Sequence, residues 1–116
     1  LASQQNDAFY CFIDLQHCHS KPVLMQALAH GLNFPPGFGS NWDALADYLS
    51  DLSWLASDAF ILCFANADRY RNAHEEDFKT LIEILEEASS SWSEQKSPFW
   101  AFFGLPDDEF EQMQVE

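Results

Sequence analysis

The sequence predicts a small α/β fold, a three-stranded parallel sheet packed with helices, and three observations carry that reading. Short runs rich in aromatic and β-branched residues recur at 8–15, 59–67 and 99–105, as buried strands do. Between them the apolar residues fall at helical spacing. The intervening stretches are also long enough to bring the chain back for a parallel neighbour.

Each element has its own local justification. "AFYCFIDL" (8–15) is apolar on both faces and reads as a strand covered on both sides. After "QHCHS", Ser20 caps a helix that accepts Pro22 in its first turn. Val23, Leu24, Ala27 and Leu28 recur along it until Gly31 ends it. "NFPPGFGS" (33–40) is a loop. A second helix starts at Ser40 or Asn41, with Trp42, Leu45, Ala46 and Leu49 as its apolar stripe and acids opposite. "AFILCFANA" (59–67) is the second buried strand, and "DRYRNAH" (68–74) is a polar loop in which Asp68 or Asn72 precedes the next helix. That helix, from about 74 to 91, is marked by Phe78, Leu81, Ile82 and Leu85. "SSSWSEQKSP" is a turn-rich connection, and "FWAFFGL" (99–105) is the third strand, closed by Gly104 and Pro106. Residues 1–106 are expected to form one domain and 107–116 an acidic tail.

Charge narrows the function. Nineteen Asp and Glu face five Lys and Arg, a net charge of -14. Such a chain repels nucleic acid and anionic membrane surfaces and suits a basic partner; solubility alone is the competing account. Three cysteines are an odd number, and Cys11 and Cys63 lie in apolar runs. That pattern fits reduced core thiols and a cytoplasmic location. No run approaches the length of a membrane span, and residues 1–9 lack a secretion-signal pattern.

Asp43, Asp47 and Asp51 recur every four residues, about 40° apart around a helix, and form one acidic stripe. Each such pair costs an isolated helix about 0.2–0.5 kcal/mol. The helix dipole favours Asp43 near the N-terminus, favours Asp47 less, and gives Asp51 no support. Spacing alone leaves a binding stripe and a solvated face both open. Acid–base or metal chemistry needs a concave site, which a convex stripe on one helix does not supply. "HCH" at 17–19 lacks the second ligand pair of a zinc site, and Cys63 with His74 lacks an exposed thiolate. "PPGFG" has no phosphate-loop Lys or Ser/Thr. Its glycines, Gly37 and Gly39, uncover main chain for close approach by a partner.

"FPPGFGSNWDALADYLSDL" resembles the signature of the barstar family, intracellular inhibitors of secreted ribonucleases. The positions that carry the resemblance are Pro35, Phe38-Gly39, Asn41, Asp43-Ala44-Leu45 and Asp47. A looser likeness extends over roughly 8–104. It implies a barstar-like fold and a mechanism in which loop and second helix plug a nuclease active site, carboxylates standing where substrate phosphates would. Asp47 then matches the acid that meets the nuclease's catalytic Arg and His, and Asp43 a second contact acid. Gly39 and Asn41 match loop contacts, and Glu87 an acid on the late helix. Gly37 and Ala46 fall where the family often carries aromatic anchors, Phe38 and Trp42 being the nearest substitutes. These departures count against barnase itself as the target and leave the inhibitor class standing.

The resulting expectation is a non-catalytic, cofactor-free and metal-free monomer that binds a basic ribonuclease or nuclease toxin through Gly37, Phe38, Gly39, Asn41, Asp43, Ala46, Asp47 and Glu87. The alternatives are an acidic docking module for another basic protein, and an enzyme or metal protein built on the Asp pair.

Overall fold

A computed structural model describes residues 8–104. The acidic tail and the domain limit expected at 106 lie outside the described residues. Strands β1 (Ala8–Asp14), β2 (Ala59–Ala65) and β3 (Phe99–Phe103) form one parallel sheet in the order β1-β2-β3. The first crossover carries α1 (Lys21–Gly31) and α2 (Trp42–Asp51), and the second carries α3 (Ala67–Ala73) and α4 (Glu75–Glu94). Short 3-10 turns sit at Leu15–His17 and Ser53–Leu55. The predicted α/β fold with three parallel strands is present.

Parallel crossovers are right-handed, and two that step the same way across a sheet lay their helices on the same face. The core lies between that face and the helices. Cys11, Ile13, Phe60, Leu62, Phe64 and Phe103 are buried there. They share one cluster with Leu24 and Leu28 of α1, Leu45 and Leu49 of α2, and Leu81 and Leu85 of α4.

The other face corrects the expectation of strands covered on both sides. Its rows, Tyr10–Ile61–Trp100 and Phe12–Cys63–Phe102, follow from the register. Tyr10 is 72% exposed, Phe12 71% and Trp100 45%. The strands therefore alternate buried and outward positions, but apolar residues occupy both, which hides the alternation from a sequence reading. Cys63 is accordingly half-buried on the outer face and not in the core. Cys11 does sit in the core, where burial, and secondarily Cys63, push its thiol up to about 11.

Two further expectations change. Gly31 does close α1, but its use is proximity: a Cβ there would stand 2.9 Å from Cys11 Sγ, so α1 lies directly on β1. The stretch read as polar loop, 68–74, is mostly helix, because Ala67 and Tyr70, one turn apart, are both buried and anchor α3. His74 Nε2 lies 2.9 Å from the carbonyl of His19, linking the start of α4 to the chain after β1.

The carboxyl ends of β1 and β2 are tied by Asp14, which accepts from Asn66 Nδ2 at 2.8 Å and from the Gln16 amide at 2.9 Å. The Asn66 bond, then the Gln16 bond, hold the Asp14 carboxyl below its ordinary value. A depressed carboxylate contributes stability above its unfolded-state pKa, and that contribution is lost as pH falls through the folded-state value.

Two outcomes are expected in denaturant unfolding. Leu62→Ala, at the centre of the inner face, should lose about 2–5 kcal/mol, whereas Tyr10→Ser on the outer face should stay within about 0.5 kcal/mol of wild type. The stability gap between wild type and Asp14→Asn, measured at neutral pH, should narrow as the pH is lowered below the ordinary aspartate range.

Candidate partner-binding site

The loop before α2 is shaped by one glycine and one asparagine. Gly37 has φ +102°, a conformation in which an L side chain is strained, so no aromatic stands at this position. Asn41 caps α2: its Oδ1 accepts from the Ala44 amide at 2.8 Å, and its Nδ2 donates to the Gly39 carbonyl at 3.4 Å. Its amide therefore bridges loop and helix, a structural use that stands without any partner.

Phe38 packs sideways onto Phe34 at 4.8 Å and onto Tyr48 at 5.2 Å between ring centroids. Trp54 completes the cluster, 5.6 Å from Tyr48, and its Nε1 donates to the Leu32 carbonyl at 2.9 Å. Four rings thus hold the loop against α2. The sequence reading of the site omits Tyr48 and Trp54; the signal available for them was the concentration of aromatic residues on both sides of "PPGFG".

Asp43, Asp47 and Asp51 are all exposed along α2. Asp43 lies in the first turn, where the dipole favours it, and Asp51 at the carbonyl end with no basic residue in the last turn. Trp42, assigned to the core stripe, is only half-buried, with Lys21 Nζ 5.8 Å from its ring centroid; Leu45 and Leu49 are the buried members. Ala46 and Asp47 meet Glu87 of α4 across a groove of about 240 Å³. The stripe is therefore not convex throughout, as the sequence suggested; at Asp47 it borders a concavity made with a second helix. The other site residues, Gly37, Phe38, Gly39, Asn41 and Asp43, belong to the loop and first turn, outside the groove lining.

The two walls are held in register by Trp92 of α4. Its Nε1 donates to the Leu49 carbonyl at 2.8 Å, and its ring packs 4.9 Å from Phe60. Leu49 lies in the last turn of α2, where carbonyls have no partner within the helix. Among the described residues no group of three or more His, Cys, Asp or Glu is placed to hold a metal, and none of the helices is long and apolar enough to cross a membrane.

Residues 8–104 match the family described as Barstar (barnase inhibitor). The chain belongs to the barstar family. No curated protein matches it. The barstar match spans all the described strands and helices, including both elements that line the groove. Within this barstar-family fold Asp47 and Glu87, remote in sequence, come to one groove, while Asp43 stands a turn away along α2 and Asp51 at its far end.

Trp92→Phe keeps a ring against Phe60 but leaves the Leu49 carbonyl without its donor. The expected loss is about 1–3 kcal/mol in urea unfolding, with the largest amide shifts in the last turn of α2 in NMR spectra of the folded variant.

Proposed function

We propose that this chain is a non-catalytic inhibitor of a basic ribonuclease, acting in the cytoplasm as a monomer and serving as the immunity partner of a nuclease toxin. The observation that carries the reading is the convergence of Asp47 and Glu87 on one groove beside a loop held by four rings, in a chain of net charge -14. Family membership supplies the class of target. The physical argument supplies the mode. A nuclease cleft is cationic because it holds a polyanion, and an acidic helix enters the same field as the phosphates it displaces. In this reading Asp47 makes the central contact and Asp43 a flanking one. Gly37, Gly39 and Asn41 set the loop's approach, and Glu87 completes the acidic edge from α4. Held rings and caps limit the ordering cost on binding.

The test is inhibition of purified basic ribonucleases, of the secreted and toxin classes, by wild type and by Asp47→Ala, with circular dichroism as the folding control. Wild type should inhibit at least one enzyme, and Asp47→Ala should weaken that inhibition at least about thirtyfold. This is the low end of what truncating one member of a buried ion pair costs. The barnase–barstar complex is the measured reference for such pairs, and the expected size is borrowed from it. The association rate should also fall steeply with added salt. A folded Asp47→Ala that inhibits as well as wild type would overturn the central role of Asp47, and a wild-type chain that inhibits none of these enzymes would overturn the inhibitor reading and favour docking to some other basic protein.

A further inference from the structure

We propose that the pocket between α3 and the chain after β1 is a binding site for a small organic carboxylate, with the Tyr70 hydroxyl donating to one of its oxygens and the Arg69 guanidinium pairing its charge. The pocket shares no residue with the α2–α4 groove, so the site stands apart from the inhibitor reading.

It lies at the carboxyl ends of β1 and β2. Gln16, Cys18 and His19 line one side, and Arg69, Tyr70 and His74 the other. A carbonyl only accepts, so His74 Nε2 donates to the His19 carbonyl at 2.9 Å and ties the two walls together. Open α/β sheets take ligands beyond the carboxyl ends of their strands where the strand order reverses. The order β1-β2-β3 has no reversal, so position alone does not make this a site.

The Tyr70 hydroxyl does. Tyr70 is 1% exposed, and its Oη is buried with no hydrogen-bond partner among the described residues. Leaving a buried hydroxyl unbonded is costly, and native proteins keep few such groups. Burial, then Asp77 and Cys18, push its pKa up to about 12, so at neutral pH it keeps its proton and can donate. Cys18, close enough to act on the hydroxyl, also lines the pocket, which sets the unbonded donor toward that wall. What the hydroxyl lacks is an acceptor.

The lining selects the acceptor's class. The chain has nineteen Asp and Glu, yet among the described residues none lines this pocket, and the fixed charge there is the Arg69 cation. Asp77, and Asp14, whose carbonyl lies 3.9 Å from Cys18 Sγ, both stand outside the lining. One guanidinium matches one carboxylate in charge and in its paired N–H geometry, whereas a doubly charged phosphate would stay half neutralised. The volume of about 240 Å³ equals roughly eight waters at about 30 Å³ each, enough for an acid built on a single ring.

The experiment titrates the isotope-labelled chain alone, read by NMR, with benzoate, with the uncharged benzamide and with inorganic phosphate. Benzoate should shift the amides of Gln16, His19, Arg69 and His74 saturably and bind at least about tenfold tighter than benzamide. Tyr70→Phe, which keeps the ring, and Arg69→Gln should each weaken benzoate binding at least about tenfold. In urea without benzoate, Tyr70→Phe should be at least as stable as wild type, because its hydroxyl has no bond to lose. A benzoate titration without saturable shifts, equal binding of benzoate and benzamide, or wild-type binding by folded Tyr70→Phe overturns the site. Tighter binding of phosphate than of benzoate overturns the carboxylate class. A Tyr70→Phe less stable than wild type without benzoate shows the hydroxyl already partnered and overturns its role. Should circular dichroism show Tyr70→Phe unfolded, Arg69→Gln and the benzamide comparison decide by the same criteria.

Discussion

The hydrogen bond from Trp92 to the Leu49 carbonyl is the constraint on which the acidic surface rests. A ten-residue helix is marginal alone, and α2 also carries three mutually repelling acids and ends on Leu52 in the left-handed region, at φ 49°. Tertiary packing overrides these costs. Leu45, Leu49 and Leu52 are buried in the common core, Asn41 satisfies the amino end, and Trp92 satisfies a carbonyl at the other end. The same indole fixes α2 against α4. The relative position of Asp47 and Glu87 is therefore a property of the core and not of either helix.

A parallel device holds the loop. Trp54 donates to the Leu32 carbonyl just past α1, so a second indole satisfies the cap carbonyl of a second helix. Phe34, Phe38 and Tyr48 then wedge the loop between that point and α2. Aromatic side chains bring large contact area with few rotatable bonds, so they rigidify a loop at little entropic cost. The residues that face outward, Gly37 and Gly39, contribute main chain to the surface, and their exposure depends on rings that a partner need not touch.

Much of this was legible in the sequence, for reasons that differ by element. The strands announced themselves as short apolar runs and α4 through its period of 3.6, and Asn41 through its place before an apolar stripe. The outward sheet face was hidden because Tyr10, Phe12 and Trp100 are apolar yet exposed; which side of a sheet the helices cover is decided by crossover direction, not by composition. α3 was hidden because only Ala67 and Tyr70 anchor it within a polar stretch. Asp47 was singled out by the four-residue spacing of acids on α2 and Glu87 through family likeness alone, since each lies on a face that periodicity cannot tell from a solvated one. The groove itself was invisible, as it requires knowing that Ala46 and Ala88 meet.

The exposed aromatic rows give the chain's acidity a second task. Rows such as Tyr10–Ile61–Trp100 form an exposed aromatic surface of the kind that favours association, and mutual repulsion between chains of net charge -14 opposes it. A basic partner seated on the helical side would neutralise much of this charge while leaving the sheet side exposed. Under the proposed function, complex formation then trades colloidal stability for affinity: the bound pair, not the free chain, is the species least protected by charge repulsion.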